Sequence, residues 1–339
     1  MKSQPTLEDV ARLAGVSTAT VSRVLNTPDL VRAETRDRVR AVVDQLGYTP
    51  HFGGRALAIR RTNTVGAIIP TMENAIFARG LQALQTRLAA RGVTLLVATS
   101  DFDPIQEEEQ IRALLARGVD GLVLIGEARG ADTYTFLARR EVPVVLLWSH
   151  REGCLWTSVG FDNHRAAAEM AALVVASGHR RVAMVAGVTA GNDRAAARVE
   201  GVRAALAAHG APPPRVVEAA YSIEAGRTAA TTLLTQDPAP SAIICGNDVL
   251  AAGVYIAARD LGLRIPDDIS VTGFDDIDLA TVLDPPLTTV HVPHRRMGQA
   301  AAEVLLRLAD APAHVESIAL ETEIRERGSL GPGPSETAQ

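Results

Sequence analysis

The chain has little cysteine, few aromatic residues and no long uncharged apolar run, and each shortage argues against a class of protein. Its 339 residues include two cysteines, Cys154 and Cys245, neither in a C-x-x-C pair nor in a cysteine–histidine cluster. That spacing argues against a disulfide framework and a zinc site, and a reducing cytoplasm is the expected setting. Aromatics make up only 4% of the residues, while alanine is abundant, which disfavours an aromatic-rich all-β fold. No uncharged apolar stretch reaches the ~18 residues of a membrane span. Glu8 and Asp9 interrupt the place where a signal-peptide core would lie. A soluble, cytoplasmic protein with no membrane partner is expected. The eight histidines are scattered, and no nucleophile–base pattern, phosphate loop or metal spacing is visible. No catalytic residue, metal or cofactor is therefore expected, and the chain is not read as an enzyme.

What is present is an asymmetry of charge. Residues 1–61 carry ten Lys/Arg against six Asp/Glu, whereas the remainder carries 24 against 33, so a basic head precedes an acidic body and the net is −5. A basic end on an acidic protein fits a polyanion partner. At ~100–200 residues per domain, the length allows two or three domains.

Within the basic head, residues 6–26 read TLEDVARLAGVSTATVSRVLN. Thr6 can cap a helix, with Asp9 as its capping-box partner, and Val10, Leu13 and Ala14 fall on one face. Gly15 stops that helix, because glycine enters the left-handed region cheaply. Ser17 caps a second helix whose Val21, Val24 and Leu25 point inward. Two short helices joined by a tight glycine turn make a helix-turn-helix, whose second helix suits the major groove. Ser17, Thr20 and Ser22 suit phosphate oxygens, and Arg23 suits a bidentate pair on guanine. A third helix over about 34–46, with Val39, Val42, Val43 and Leu46 inward, ends at Gly47.

From Val65 onward, short apolar runs alternate with amphipathic stretches. The runs are 65–70, 94–100, 121–126, 142–148, 181–187, 241–247 and 269–275; helices are predicted at 104–117, 163–177, 193–209, 222–235 and 248–262. Alternation of this kind predicts parallel sheets with helices on both faces. Breaks near 149–163 and 285–294 divide this body into two lobes. The expected fold is thus a small all-α helix-turn-helix headpiece plus an α/β core of two doubly wound lobes. Its parts are a headpiece at 1–49, a linker at 50–63, a two-lobed core at 64–328 and a flexible tail at 329–339. Ligands in open α/β sheets sit beyond the carboxyl ends of strands. That rule marks Asn74, Phe77, Ser100, Trp148, Phe161, Asn192, Asn247 and Asp275, with Arg198 a turn or so into the following helix. Each also has a plainer reading: Asn247 and Asp275 as helix caps, Trp148 as core, Arg198 as a surface residue.

The ordered run T-L-x-D-V-A-x-x-A-G-V-S-x-x-T-V-S-R-V-L-N, with T-R-x-R-V and L-G-Y-x-P after it, resembles the headpiece of the LacI/GalR family of transcription regulators. VGFDN (159–163), GHRRVA (178–183), GND (246–248), VTGFDD (271–276) and PPLTTV (285–290) resemble its periplasmic-binding-protein-like core. The resemblance implies that Thr18 and Ala19 select the operator, and that Leu7, Asn26, Arg32 and Thr35 belong to the DNA-binding set. Arg32 stands where a capping Ser is usual and could reach a phosphate. It also implies that residues 50–63 form a hinge helix ordered only on DNA, with Leu57 wedged into the minor groove. Here His51 replaces the usual Asn, and Gly53 and Gly54 each weaken a helix by ~1 kcal/mol. In the core, the resemblance marks Arg198, Asn247 and Asp275 as the trio that grips ligand hydroxyls, while Phe77, Trp148 and Phe161 could stack on a sugar ring. Trp148 departs from the family, where a carboxylate commonly follows that strand. VGFDNxxAAxxM followed by ASGHR resembles the gluconate-type members.

The expected function is a DNA-binding transcription regulator, a repressor, that acts as a homodimer on double-stranded operator DNA. A small-molecule effector, a sugar or sugar acid, would control it. A purine-type corepressed regulator and a solute-binding receptor are the alternatives.

Overall fold

The computed structural model describes residues 5–49, 61–73, 75–310 and 316–334. The chain divides into two compact units, residues 1–62 and 63–339.

The first unit is a three-helix headpiece of α1 (Leu7–Ala14), α2 (Thr18–Asn26) and α3 (Ala33–Leu46). Thr6 and Asp9 close a reciprocal capping box at the start of α1, and Gly15 ends it at φ 63°. Ser17 caps α2 by accepting from the Thr20 amide. Arg32 precedes α3 without a side-chain cap. Val10, Ala11, Ala14, Val21, Val24, Val39, Val42 and Tyr48 form the core. Leu13, expected inside, is 46% exposed, because Val10, Ala11 and Ala14 set the buried stripe one position round the helix.

The second unit holds two six-stranded sheets. In the first lobe these are β1 (Thr64–Ile69), β2 (Thr94–Thr99), β3 (Gly121–Ile125), β4 (Val144–Leu147), β5 (Ser158–Gly160) and, much later, Ile318–Ala319. Helices α4 (Ala75–Ala89), α5 (Pro104–Ala116) and α6 (Ala131–Arg140) connect the first four strands. The second lobe runs α7 (Asn163–Ala176), β6 (Val182–Gly187), α8 (Asp193–Ala208), β7 (Arg215–Ala219), α9 (Ile223–Leu234) and β8 (Ala242–Cys245). It continues through α10 (Asp248–Asp260), β9 (Ser270–Asp275), the short α11 (Leu279–Val282) and β10 (Thr288–His291). The chain then returns to the first lobe for α12 (His294–Asp310) and β11, the Ile318–Ala319 strand, and ends in the second with β12 (Glu323–Arg325).

The sheet orders are β11-β5-β4-β3-β1-β2 and β12-β10-β9-β8-β6-β7. Every pair is parallel except β10 with β12. β1, β3, β4, β6, β8 and β9 are buried along their whole length, as parallel strands covered on both faces must be. The backbone therefore crosses between lobes three times, near 161, 292 and 321. The two breaks read from the sequence correspond to the first two crossings. The third involves strands of two and three residues, too short to show a period. Among the described residues, no helix is long and apolar enough to cross a membrane.

The expected flexible tail from residue 329 is instead seated on the second lobe as far as Gly333. Ser329 is fully buried. Its hydroxyl accepts from the Thr288 amide (2.8 Å) and donates to the Val271 carbonyl (2.6 Å). The Val271 amide donates to the Ser329 carbonyl at 2.9 Å, and the Gly333 amide to that of Ser177 at 2.6 Å. The buried His179 imidazole bridges Ser241 Oγ (3.0 Å) and the Gly331 carbonyl (3.1 Å). Burial holds its pKa below the ordinary imidazole range, against the hydrogen bond to Gly331, which raises it. Glycine and proline content suggested looseness, but backbone groups paired along the strap outweigh it. Ser329→Ala would strand the Thr288 amide. Denaturant unfolding should show a loss of about 1–3 kcal/mol; an unchanged midpoint would mean the strap contributes nothing.

Candidate functional site

On the headpiece, α2 presents Ser17, Thr18, Ala19 and Arg23 exposed along one side. Thr20 and Ser22 are half-buried, and the Thr20 hydroxyl pairs with Ser17 Oγ at 2.9 Å. Ser17 thus spends its oxygen on the cap, which leaves Thr18, Ala19 and Arg23 as the freest to meet another surface. Leu7 packs against the headpiece core. Arg32 is exposed ahead of α3, and Thr35 is half-buried in its first turn. Asn26 closes α2; its side chain, like Leu57 and residues 50–60 of the hinge expected at 50–63, lies outside the described residues. A short, capped, exposed helix with hydroxyls and an arginine near its start is the geometry that enters a major groove.

In the second unit, the carboxyl ends of both sheets face a common cleft. Phe77 and Trp148 from one lobe meet Asn192, Arg198, Asn247 and Asp275 from the other around a recess of about 20 Å³. That is room for about one water, at ~10–15 Å³ each. Ile76, Phe102, Arg194 and Tyr221 complete its wall. Outside it, a pocket of about 370 Å³ shares Phe102, Asn192 and Tyr221 with the recess, within the ~300–1,000 Å³ typical of ligand sites. The rings of Phe102 and Tyr221 meet across the lobes at 5.9 Å between the two spaces.

The backbone is strained here. Trp148 has φ 62°, Phe102 φ 60° and Asp275 φ 105°. Left-handed conformations in such residues cost ~1–3 kcal/mol each and persist where the surroundings enforce them, typically at binding sites.

Arg198, buried at 5% exposure, is fixed on three sides. Its Nε donates to Asn163 Oδ1 (2.9 Å), its Nη1 to the Gly246 carbonyl (2.6 Å), and its guanidinium lies 3.6 Å over the Phe274 ring. Its Nη2 stops 4.0 Å from Asp275 Oδ1. Asn163 Nδ2 in turn donates to the Trp148 carbonyl at 2.9 Å, which ties the trio to the other lobe. Arg194 pairs with Asp193 at 2.9 Å, and Asp193 accepts from the Glu127 amide across the cleft at 2.9 Å. Burial pushes the Arg194 pKa down, opposed by Asp193. Gly126, at φ 70°, allows this crossing, because a Cβ there would collide with Arg194 and Asp193. Arg79 and Asp278 close another side of the cleft at 2.6 Å.

Two residues marked from the sequence lie elsewhere. Phe161 is buried behind the site, its ring stacked 6.0 Å from Phe274, so it packs the floor beneath Arg198 and cannot stack on a ligand. Ser100 is buried at the end of β2, its backbone spent on Ile69 and Asp103; its neighbour Phe102 reaches the recess instead. Asn74 lies outside the described residues. Asn192 and Asn247 do both jobs at once, capping α8 and α10 while lining the recess. Asp275 is not a cap; it ends β9. Arg194 and Tyr221 were missed, although N-D-R (192–194) directly follows the strand run and carried a readable hint. Asn163 and His294 act through tertiary contacts that no spacing announces.

The chain matches the model of bacterial regulatory proteins of the lacI family over residues 6–51 and that of the periplasmic binding protein-like domain over 171–330. It is 32% identical over 306 residues to the Escherichia coli HTH-type transcriptional regulator GntR, covering 90% of this chain and 92% of that one. The chain belongs to the lacI family. A lacI-family transcriptional regulator from Silicibacter pomeroyi superposes with a TM-score of 0.89 at 29% identity, covering 96% and 99% of the two chains. The lac repressor dimer bound to operator and the anti-inducer ONPF gives 0.87 at 27%, covering 97% and 100%. As a lacI-family member, the chain is a DNA-binding transcription regulator with a headpiece and a periplasmic-binding-protein-like body. Its relatives are regulators, not enzymes.

Asp248, next to Asn247 and fully buried, braces the turn that carries Asp275. Its carboxyl bonds the Thr289 hydroxyl (2.6 Å) and accepts from the Ile277 amide (2.8 Å), and Gly273 leaves room for it. Burial first, then the charge of Asp275, pushes its pKa up to about 8. Between about pH 4, the free-carboxylate value, and pH 8, the folded chain keeps a proton that the unfolded chain releases. Stability from this group is therefore full at low pH and declines as pH rises through that window. Asp248→Asn keeps an acceptor for Ile277 and a donor for Thr289 without a titrating proton. Its melting temperature relative to the parent should climb from pH 6 to pH 9; a constant difference would place Asp248 in the ionised form throughout.

Proposed function

We propose that the chain is a repressor. As a homodimer it holds a near-palindromic operator, and a small hydroxylated molecule, a sugar or sugar acid, controls it from the inter-lobe cleft. The observation that carries the effector site is the strained pair Trp148 and Asp275, brought from opposite lobes onto one recess beside the fixed guanidinium of Arg198. Polar groups converging among Phe77, Phe102 and Tyr221 suit a ligand with hydroxyls on its edges and apolar faces. The inner recess is small and the lobes are latched at Arg79–Asp278 and Asp193–Glu127. A ligand would therefore act by preferring one separation of the lobes over another, and its leverage equals that difference in affinity. Two headpieces related by a two-fold axis would supply the half-site pair that one short helix cannot.

Two measurements test this. Asp275→Ala should abolish the effector's influence on operator titration and weaken effector binding at least tenfold, as expected for a lost charged hydrogen bond worth ~1.5–3 kcal/mol. A full response in that variant would move the effector site elsewhere. Arg23→Ala should cost about 1–3 kcal/mol on the operator and relax base preference at one position of each half-site. An equal loss on random DNA would assign Arg23 to phosphate contact.

A further inference from the structure

Two rings stand between the inner recess and the outer pocket of the cleft. The recess of about 20 Å³, walled by Arg198 and Asp275, has room for about one water. The outer pocket of about 370 Å³ is large enough for a small ligand. Phe102 from the first lobe and Tyr221 from the second line both spaces and meet at 5.9 Å between ring centres, tilted by 35°. They hold equivalent places in the two lobes. Phe102 follows β2 and Tyr221 follows β7, the outermost strand at the same end of each sheet order. With these rings in contact, a ligand that fills the outer pocket has no space beside Arg198.

The two rings are mounted differently. Asp101 and Phe102 are the central residues of a turn closed by the Asp103 amide, which donates to the Ser100 carbonyl at 2.8 Å. Both have positive φ, 50° and 60°, as in a type I′ turn, where the second central residue is usually glycine. The flanks of the turn are fixed. The Ser100 and Asp101 amides donate to the Ile69 and Pro70 carbonyls at 3.1 and 2.8 Å, and Asp103 caps α5. Phenylalanine therefore holds a strained backbone that glycine would adopt freely, and what it adds is the ring across the cleft. Tyr221 is instead let into its own lobe. A Cβ at Gly187, the end of β6, would collide with the tyrosine ring, and the next residue, Ser222, caps α9. We propose that Phe102 and Tyr221 form a gate. Tyr221 is the fixed leaf and Phe102 the leaf that swings away as the lobes part, which opens the way from the outer pocket to Arg198 and Asp275. The Arg79–Asp278 pair, closed at 2.6 Å between the lobes, keeps the gate shut by keeping the lobes together. That the gate serves an effector rests on the cleft being the effector site.

The test needs no effector, so its outcome is independent of the Asp275→Ala titration. Trp148, 1% exposed, lines the recess behind the two rings. In the full-length chain with Trp156→Phe it is the single tryptophan left of the two in the sequence. Acrylamide quenching of its emission lifetime then reports how often the recess is open. Phe102→Gly and Tyr221→Ala should each raise the quenching constant at least threefold, with thermal unfolding showing that each variant is folded. Phe102→Gly should also melt no lower than the parent, because glycine suits the turn, whereas removing a ring that merely packs lowers the melting temperature. Arg79→Ala leaves both rings in place and should still raise quenching at least twofold. A folded ring variant with unchanged quenching overturns the gate, since the recess would then be reached another way. Quenching raised by the ring variants but not by Arg79→Ala makes the rings a fixed wall, and melting several degrees lower in Phe102→Gly makes Phe102 a packing residue. Either of those results overturns the proposal as well.

Discussion

Arg198 carries a full charge where almost no water reaches, and most of the second unit is arranged around keeping it there. A buried guanidinium needs its donors satisfied and its face covered. Asn163, the Gly246 carbonyl and the Phe274 ring do this. Each of those partners is then committed. Asn163 must begin α7 at the point where the chain enters the second lobe, Gly246 must directly follow β8, and Phe274 must face inward one residue before Asp275. Phe161 supports Phe274 from behind. The VGFDN, GND and VTGFDD segments are separate in sequence but answer to this one side chain. The Asn163 amide passes the constraint on to the Trp148 carbonyl in the opposite lobe, so the strained tryptophan and the buried arginine are set by the same bridge.

Much of this was legible in the residues. Seven apolar runs named seven strands to within a residue or two, because buried parallel strands need unbroken Val, Ile and Leu. Glycines at 15 and 47 ended helices where a left-handed residue was required, and Ser17 began one. Strand-end logic located Trp148, Asn192, Asn247 and Asp275, since open α/β sheets bind beyond their carboxyl edges. What escaped has a common cause. Ile318–Ala319 and Glu323–Arg325 are too short for periodicity, and Ser329 is fixed by amides more than forty residues away. Phe161 packs in the core and Phe102 lines the recess, because facing the cleft and facing the core differ by a rotation of the chain that local pattern does not encode. His294 has meaning only opposite Asp275, to which no spacing joins it.

The headpiece obeys simpler rules. Its core is seven alanine and valine side chains with Tyr48, and the starts of α1 and α2 are capped from within three residues in sequence. Nothing in it waits for a distant partner. The second unit is the opposite: its first lobe borrows α12 and β11 from the far end of the chain, and its second lobe is sealed by the Ser329 strap.

That difference in connectivity has a consequence during synthesis. Domains fold as their residues emerge, amino end first, at roughly 5–20 residues per second. The headpiece is contiguous and can fold once its own residues are out. The first lobe lacks its packing helix until residue 310 is made, and the second its closing strap until residue 329. For roughly 15–60 seconds at that rate, a nascent chain would carry a finished reading head with no assembled sensor to restrain it. The interleaving of the lobes thus completes the sensor only once residue 329 is out, long after the three helices of the headpiece are finished.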